Sequence, residues 1–365
     1  MKIDSSFLNI LPLNNFPKIN YTPKISFTGS NLAPLDKDTV TFSGTQKTES
    51  SSKNKKLDPA ERGSRRLTTE IHRESDNAYS LFKYILGTVL DETIIDLDEP
   101  DAQTRIKNAI DENRNKPILY VTSRRKKPNS IAEKMGQLHI RSKAQVRNNM
   151  NDIIGARIIV SGVGTKEGDY VLDKLAQGVK ETPLKIKKIK NHGQQNPRLK
   201  YTTQKALDKL ITASRKNGSP TCEYVDQPRD SGYLAVHLLT ENIADGFSAE
   251  IQIMGLDVER FKEIEDLCYK CHAGKGVGKK YKEIEDLFKP YRGDEDFMAQ
   301  YLEYTKRAYK HERLKPLHNK DEFSEFLSIP DDLNLIPKEL DFNNIRKIKN
   351  RIDHETNPTK NPTLK

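Results

Sequence analysis

The sequence reads as an α+β chain, and three observations carry that reading. Short β-branched runs recur, at Pro117-Ile118-Leu119-Tyr120-Val121-Thr122 and Ile153-Ile154-Gly155-Ala156-Arg157-Ile158-Ile159-Val160. Longer segments between them carry apolar residues at helical spacing, such as Leu67, Ile71, Ala78, Leu81, Tyr84, Ile85 and Val89. Two later runs, Gly232–Leu239 and Ser248–Met254, alternate apolar and polar residues.

In chain order, residues 1–60 are rich in Asn, Ser, Thr, Pro and Lys. Such a segment buries too little apolar area to offset the entropy of ordering it, so a disordered tail is expected. Two similar pentapeptides within it, Ile25–Gly29 and Val40–Gly44, read as chance similarity in a biased tail. Helices are expected over Arg66–Leu90, Asp101–Glu112 and Ile131–Leu138, the last with Ser130 as N-cap and Glu133 as its capping-box partner. Arg141–Arg147 is a basic stretch, and Gly168–Gln177 reads as a helix. Lys185–Lys216 is markedly basic, its first half a loop or hairpin and its second half, from Thr203, a helix. A helix follows over Leu256–Tyr269. The hexapeptide Lys-Glu-Ile-Glu-Asp-Leu occurs at 262–267 and again at 282–287, flanking a Gly/Lys loop, which predicts a helix–loop–helix unit. That loop lacks the spacing of a phosphate-binding P-loop. Asp296–Leu314 reads as a helix. The organisation expected is a tail over 1–60, a domain over 61–290, a helical extension over 291–330 and a loose polar tail over 331–365.

With 62 Lys and Arg against 52 Asp and Glu, the net charge of +10 favours polyanionic partners. Three cysteines, Cys222, Cys268 and Cys271, give no disulfide framework and suit a reducing cytoplasm. No apolar run approaches membrane-spanning length, and no secretory signal is visible, so a cytoplasmic chain without a membrane partner is expected. Cys268-Tyr269-Lys270-Cys271-His272 has the spacing of a haem attachment site. That chemistry needs an exported chain, so the match reads as coincidence.

The last two strands carry the chemistry. On Ser248–Met254, Glu250 and Gln252 share one face while Ile251 and Ile253 anchor the other. On Gly232–Leu239, Tyr233 and His237 share a face opposite Leu234, Val236 and Leu238. Further charged and polar residues gather at strand ends: Arg124, Lys126, Ser130 and Lys134, then Asp152 and Arg157. Two carboxylates from different strands with several cations suit phosphoryl-type transfer. In such chemistry carboxylates hold Mg²⁺, here Asp152 and Glu250 as candidates, and cations neutralise phosphate charge.

At these residues the sequence resembles the RelA/SpoT-type synthetase domain of (p)ppGpp synthetases, over roughly residues 110–275. Arg124-x-Lys126-x-x-x-Ser130-Ile131-x-x-Lys134-Met135 resembles its first motif, and Asp152-x-x-Gly155-x-Arg157 its Asp-x-x-Gly-x-Arg motif. The run Glu223–His237 is similar to its Asp-Tyr-Ile-x-x-Pro-Lys-x-Asn-Gly-Tyr-x-Ser-x-His block, and Glu250-Ile251-Gln252-Ile253 to its Glu-x-Gln-Ile-Arg-Thr strand. The resemblance implies a mixed five-stranded, nucleotidyltransferase-like sheet flanked by helices. It also implies Mg²⁺-dependent transfer of the ATP β,γ-pyrophosphate to a 3′-hydroxyl of GDP or GTP. Arg124, Lys126 and Lys134 would hold ATP, with Ser130 and Arg157 in the same nucleotide-binding set. Tyr233 would stack on the acceptor base and His237 contact phosphate. Asp152 and Glu250 would bind Mg²⁺, with Glu250 as general base. The chain departs at Met254-Gly255, where the family has Arg-Thr, and milder replacements stand at Glu223, Arg229, Ser231 and Ala235. It resembles the short, stand-alone members, with no hydrolase motif visible.

The expected partners are ATP with GDP or GTP. A toxin-like relative acting on the tRNA 3′ end through basic segments 141–147 and 185–216 is the alternative, and an inactive nucleotide- or RNA-binding module is a third reading. Oligomeric state is left open between a monomer and a homo-oligomer.

Overall fold

The computed structural model describes residues 59–161, 164–193, 200–274, 277–314 and 336–356. The pentapeptides at 25–29 and 40–44 lie outside them, with most of the tail expected over 1–60. In chain order the helices are α1 Pro59–Glu74, α2 Asp76–Leu90, α3 Ala102–Glu112, α4 Pro128–Gln137, α5 Lys143–Asn149, α6 Lys166–Glu181, α7 Gln204–Lys216, α8 Leu256–His272, α9 Lys282–Phe288, α10 Glu295–Leu314 and α11 Phe342–Thr356. The strands are β1 Ile94–Asp96, β2 Ile118–Arg125, β3 Ile154–Val160, β4 Ile186–Asn191, β5 Glu223–Asp226, β6 Val236–Thr240 and β7 Ala249–Gly255.

The α+β class is as expected, but the sheet has seven strands rather than five, in the order β1-β2-β3-β7-β6-β4-β5. It is mixed: β1·β2, β3·β7 and β4·β5 pair parallel, and β2·β3, β6·β7 and β4·β6 pair antiparallel. The inner strands are the β-branched runs. On β3 and β7, Ala156, Ile158, Ile251 and Ile253 are buried while Gly155, Arg157, Glu250 and Gln252 on the other face are only partly so.

Helices cover both faces. On the first, the Tyr79 hydroxyl of α2 hydrogen-bonds the Ser123 hydroxyl of β2 at 2.9 Å, and α2 packs on α6. Gly178 permits that contact, since a Cβ there would lie 2.4 Å from Val89. On the second face, α8 lies over the strands: its Glu259 accepts from the Tyr120 hydroxyl and pairs with Arg157 at 3.6 Å.

Several local expectations are corrected. Arg66–Leu90 is two helices, not one, separated at Ser75. Ser130 is not an N-cap: α4 starts earlier, capped at Lys127, because Pro128 with its fixed φ suits the first turn. Within the first half of the basic insertion, Ile186–Asn191 forms strand β4 rather than a loop. Tyr233 precedes β6 rather than lying on it. The tail expected to be loose contains α11, whose Phe342, Ile345 and Ile352 are buried. Phe342 packs edge-on against Phe261 of α8 at 4.7 Å, and Tyr309 of α10 does so at 4.4 Å. Residues 342–356 therefore brace α8 from behind. The helix–loop–helix unit forms as expected, with the two hexapeptide copies in α8 and α9. Cys268, Cys271 and His272 are buried core residues; the His272 ring stacks on Phe297 and its Nε2 hydrogen-bonds the Tyr291 carbonyl. Among the described residues no helix is long and apolar enough to cross a membrane.

Candidate active site

Strand register assembles the site. Paired residues on neighbouring strands share a face. Thr122 of β2 pairs with Arg157 of β3, which pairs with Gln252 of β7, which pairs with His237 of β6. One step along, Arg124 pairs with Gly155 and Gly155 with Glu250. Gly155 has no side chain, so the floor of the cleft stays open between the Arg124 guanidinium and the Glu250 carboxylate. Asp152 sits in the turn that leads into β3.

Two connected cavities follow. One, of about 540 Å³, is lined by Arg124, Lys126, Ser130, Lys134, Asp152 and Lys270 among others. The second, of about 230 Å³, is lined by Arg124, Lys126, Asp152, Arg157, Glu250, Gln252, Lys262 and Asp266 among others. Arg124, Lys126 and Asp152 line both. Seven of the nine sequence-derived residues thus border this cleft: Arg124, Lys126, Ser130, Lys134, Asp152, Arg157 and Glu250. Tyr233 and His237 lie behind the floor, both buried.

The electrostatics are specific. Asp152 Oδ2 accepts from Lys126 Nζ at 2.7 Å, and its Oδ1 pairs with Lys134 Nζ at 2.7 Å. Burial pushes the Asp152 carboxyl up, but the two lysines outweigh it and hold its pKa below the ordinary value. For Glu250, burial also raises the pKa. Hydrogen bonds from His237 at 3.1 Å and Gln252 at 2.9 Å, with the charge of Lys134 nearby, overcome burial and hold it at about 2. Glu250 is therefore ionised at neutral pH and can only accept, so His237 Nδ1 carries the proton between them. His237 Nε2 then faces the Tyr233 hydroxyl at 3.0 Å. Beneath them His192 meets His237 edge-on at 4.4 Å and donates from Nδ1 to the Gln227 carbonyl at 2.7 Å. Burial, then the neighbouring His237, lowers the His192 pKa to about 4.

The other wall was not foreseen. Glu259, Lys262, Asp266 and Lys270 of α8 recur every three or four residues, the spacing that puts them on one helix face. Glu259 holds Arg157, Lys262 and Asp266 border the smaller cavity, and Lys270 borders the larger. The charged i,i+4 pairs of the repeated hexapeptide were the available signal. Read alone, such pairs describe any solvated helix face.

Several cations of the basic segments are engaged within the chain. Lys143 pairs with Glu70 and Glu74, and Arg147 with Glu74. Lys188 pairs with Glu223 and Lys209 with Asp173, while Lys187 donates to Asn151 at 2.7 Å.

Residues 123–274 match the family model described as a region found in RelA / SpoT proteins. The match covers the central part of the chain. It begins within β2 and ends just past α8, so the matched residues include both carboxylates and the α8 wall. Similar solved structures include a GTP pyrophosphokinase family protein from Streptococcus pneumoniae, at 21% identity over 55% of this chain and 89% of that one, TM-score 0.30. The small alarmone synthetase 1 of Bacillus subtilis bound to its product pppGpp shares 16% identity over 66% of this chain and 92% of that one, TM-score 0.34. The small alarmone synthetase 2 of Bacillus subtilis shares 21% identity over 52% and 83%, TM-score 0.27. Among curated proteins none matches the sequence.

Proposed function

We propose that the cleft is the active site of a GTP pyrophosphokinase-like enzyme, which transfers the β,γ-pyrophosphate of ATP to the 3′-hydroxyl of GDP or GTP and so makes (p)ppGpp. The observation that carries this reading is the junction of two ionised carboxylates, Asp152 and Glu250, with Arg124, Lys126 and Arg157 in one cleft, within the residues that match the RelA/SpoT model.

The 3′-hydroxyl oxygen attacks the β-phosphorus of ATP, the bond from that phosphorus to the α-phosphate oxygen breaks, and AMP leaves. Arg124, Lys126 and Lys134 neutralise the triphosphate. Glu250 accepts the hydrogen bond of the attacking hydroxyl and orients it. With a pKa of about 2 it is a weak base, so it takes the proton only as the new bond forms and that proton becomes acidic. His237 fixes the carboxylate, and Gln252 bridges it to Arg157.

Magnesium fits the donor set: two ionised carboxylates border one cavity, and such an ion is commonly held by one or two carboxylates plus substrate phosphates. Among the described residues no cluster of three or more acidic, His or Cys side chains offers a closed metal cage. Asp152 and Glu250 would hold the ion, which would neutralise phosphate charge when bound.

The test is to incubate the full chain with labelled ATP, Mg²⁺ and GDP, GTP or bulk tRNA. Release of AMP with label on the guanine nucleotide is expected. Label on tRNA alone, or no AMP, overturns the reading.

A further inference from the structure

Lys262 and Asp266 form an ion pair at 3.2 Å, one turn apart on α8, and both border the cavity that holds Arg157, Glu250 and Gln252. Lys262 Nζ lies over the Tyr233 ring, 4.5 Å from its centroid. The remaining surroundings of that ring are filled: His237 meets it at 5.7 Å, His192 at 5.9 Å and Tyr309 at 6.1 Å, and the residue is 5% exposed. The family resemblance implied an open aromatic face on which an acceptor base stacks. In this chain that face carries an ammonium group. A second observation points the same way. Met254, on the same alternating face as Glu250 and Gln252, is fully buried where the related motif has an arginine. The strand has lost a cation, and the helix across the cleft supplies one.

We infer that Lys262 determines how the acceptor is held: it binds an acceptor phosphate from the α8 side, and Tyr233 is the seat of Lys262 rather than a platform for a base. An ammonium has three N–H donors, so the pair with Asp266 leaves capacity for phosphate oxygens. The ring face stabilises the ammonium charge. The ligand class is a nucleoside 5′-diphosphate or triphosphate, recognised through its phosphates more than its base. The inference rests on the pyrophosphotransfer reading and concerns its acceptor half.

The test is titration calorimetry on the full chain with Mg²⁺ and a non-hydrolysable ATP analogue present, using GDP and guanosine as probes. The wild-type chain is expected to bind GDP at least about tenfold more tightly than guanosine. Lys262→Ala is expected to weaken GDP binding by about tenfold, with guanosine and the ATP analogue unchanged, and Lys262→Arg to restore it. Tighter binding of GDP and guanosine by Lys262→Ala would mean that a bared Tyr233 is a stacking platform and would overturn the inference. Unchanged GDP binding would also overturn it. A wild-type chain that binds neither the ATP analogue nor GDP fails the pyrophosphotransfer reading itself.

Discussion

His237 donates from Nδ1 to the Glu250 carboxylate at 3.1 Å across the antiparallel pair of β6 and β7. The bond fixes one carboxylate oxygen while Gln252 holds the other at 2.9 Å, so the group facing the cleft has a single orientation. Glu250→Gln keeps an acceptor for His237 but removes the charge. AMP release is expected to fall by at least about 10²-fold, with the melting temperature nearly unchanged. Retained activity would refute the role given to Glu250.

Lys126 and Lys134 each hold one oxygen of Asp152 at 2.7 Å. Either lysine replaced by alanine is expected to weaken binding of a non-hydrolysable ATP analogue by about tenfold. Asp152→Asn leaves both ammonium groups without their carboxylate. It is expected to reduce turnover more than it reduces ATP binding, which paired kinetic and calorimetric titrations would separate.

The depressed pKa values of His192 and Glu250 contribute to the acid limb of stability. His192 is held at about 4 against an ordinary 6.5, so the unfolded chain takes up a proton first as pH falls. Its contribution is complete above pH 6.5 and is lost as pH falls through about 4, to a total of about 3 kcal/mol. Glu250, at about 2 against 4.5, extends the loss from pH 4.5 downward. Urea unfolding at pH 7, 6, 5 and 4 should show the decline, and His192→Gln should flatten it between 6.5 and 4. A wild-type curve flat over that range would contradict the assignment.

Gly255 is fixed by its neighbours. A Cβ there would lie 2.1 Å from Asp257 Oδ1 and 2.8 Å from the Tyr201 hydroxyl, two groups already bonded to each other at 3.1 Å. Gly255→Ala is expected to cost about 1–3 kcal/mol, read as a lower melting temperature. Restoring the family's Thr at 255 should cost more unless Tyr201 and Asp257 change with it.

Phe342 is fully buried against Phe261 of α8. Phe342→Ala is expected to cost about 3–5 kcal/mol and to lower activity in the remaining folded protein by loosening the wall that carries Lys262. Turnover below the unfolding temperature, normalised to folded protein, checks it.

The central sheet and most of the cleft were legible because β2, β3 and β7 are strongly patterned and their site residues fall on one face. The outer strands were not. β1 has three residues, β5 reads Glu-Tyr-Val-Asp, and the lysines of β4 dilute its apolar spacing to Ile186 and Ile189. Such edges form because a neighbouring strand offers hydrogen bonds, which is a tertiary cause. Helix α11 carries Phe342, Ile345 and Ile352 at helical spacing, but polar residues between them hid the stripe. Lys262 was invisible as a site residue because only the docking of α8 turns its charged face inward.

Gly155 and Glu250 are register partners although they are far apart in sequence. Everything from α6 through β6 must be made before β7 can pair with β3. A nascent chain emerging in order from the ribosome thus exposes Asp152 long before its counterpart exists. Closing so long a loop delays assembly of the sheet's centre. Competence for chemistry therefore arrives late in synthesis, only once β7 has inserted and α8 has closed the other wall. Any product truncated before that strand would be inert, whatever it bound.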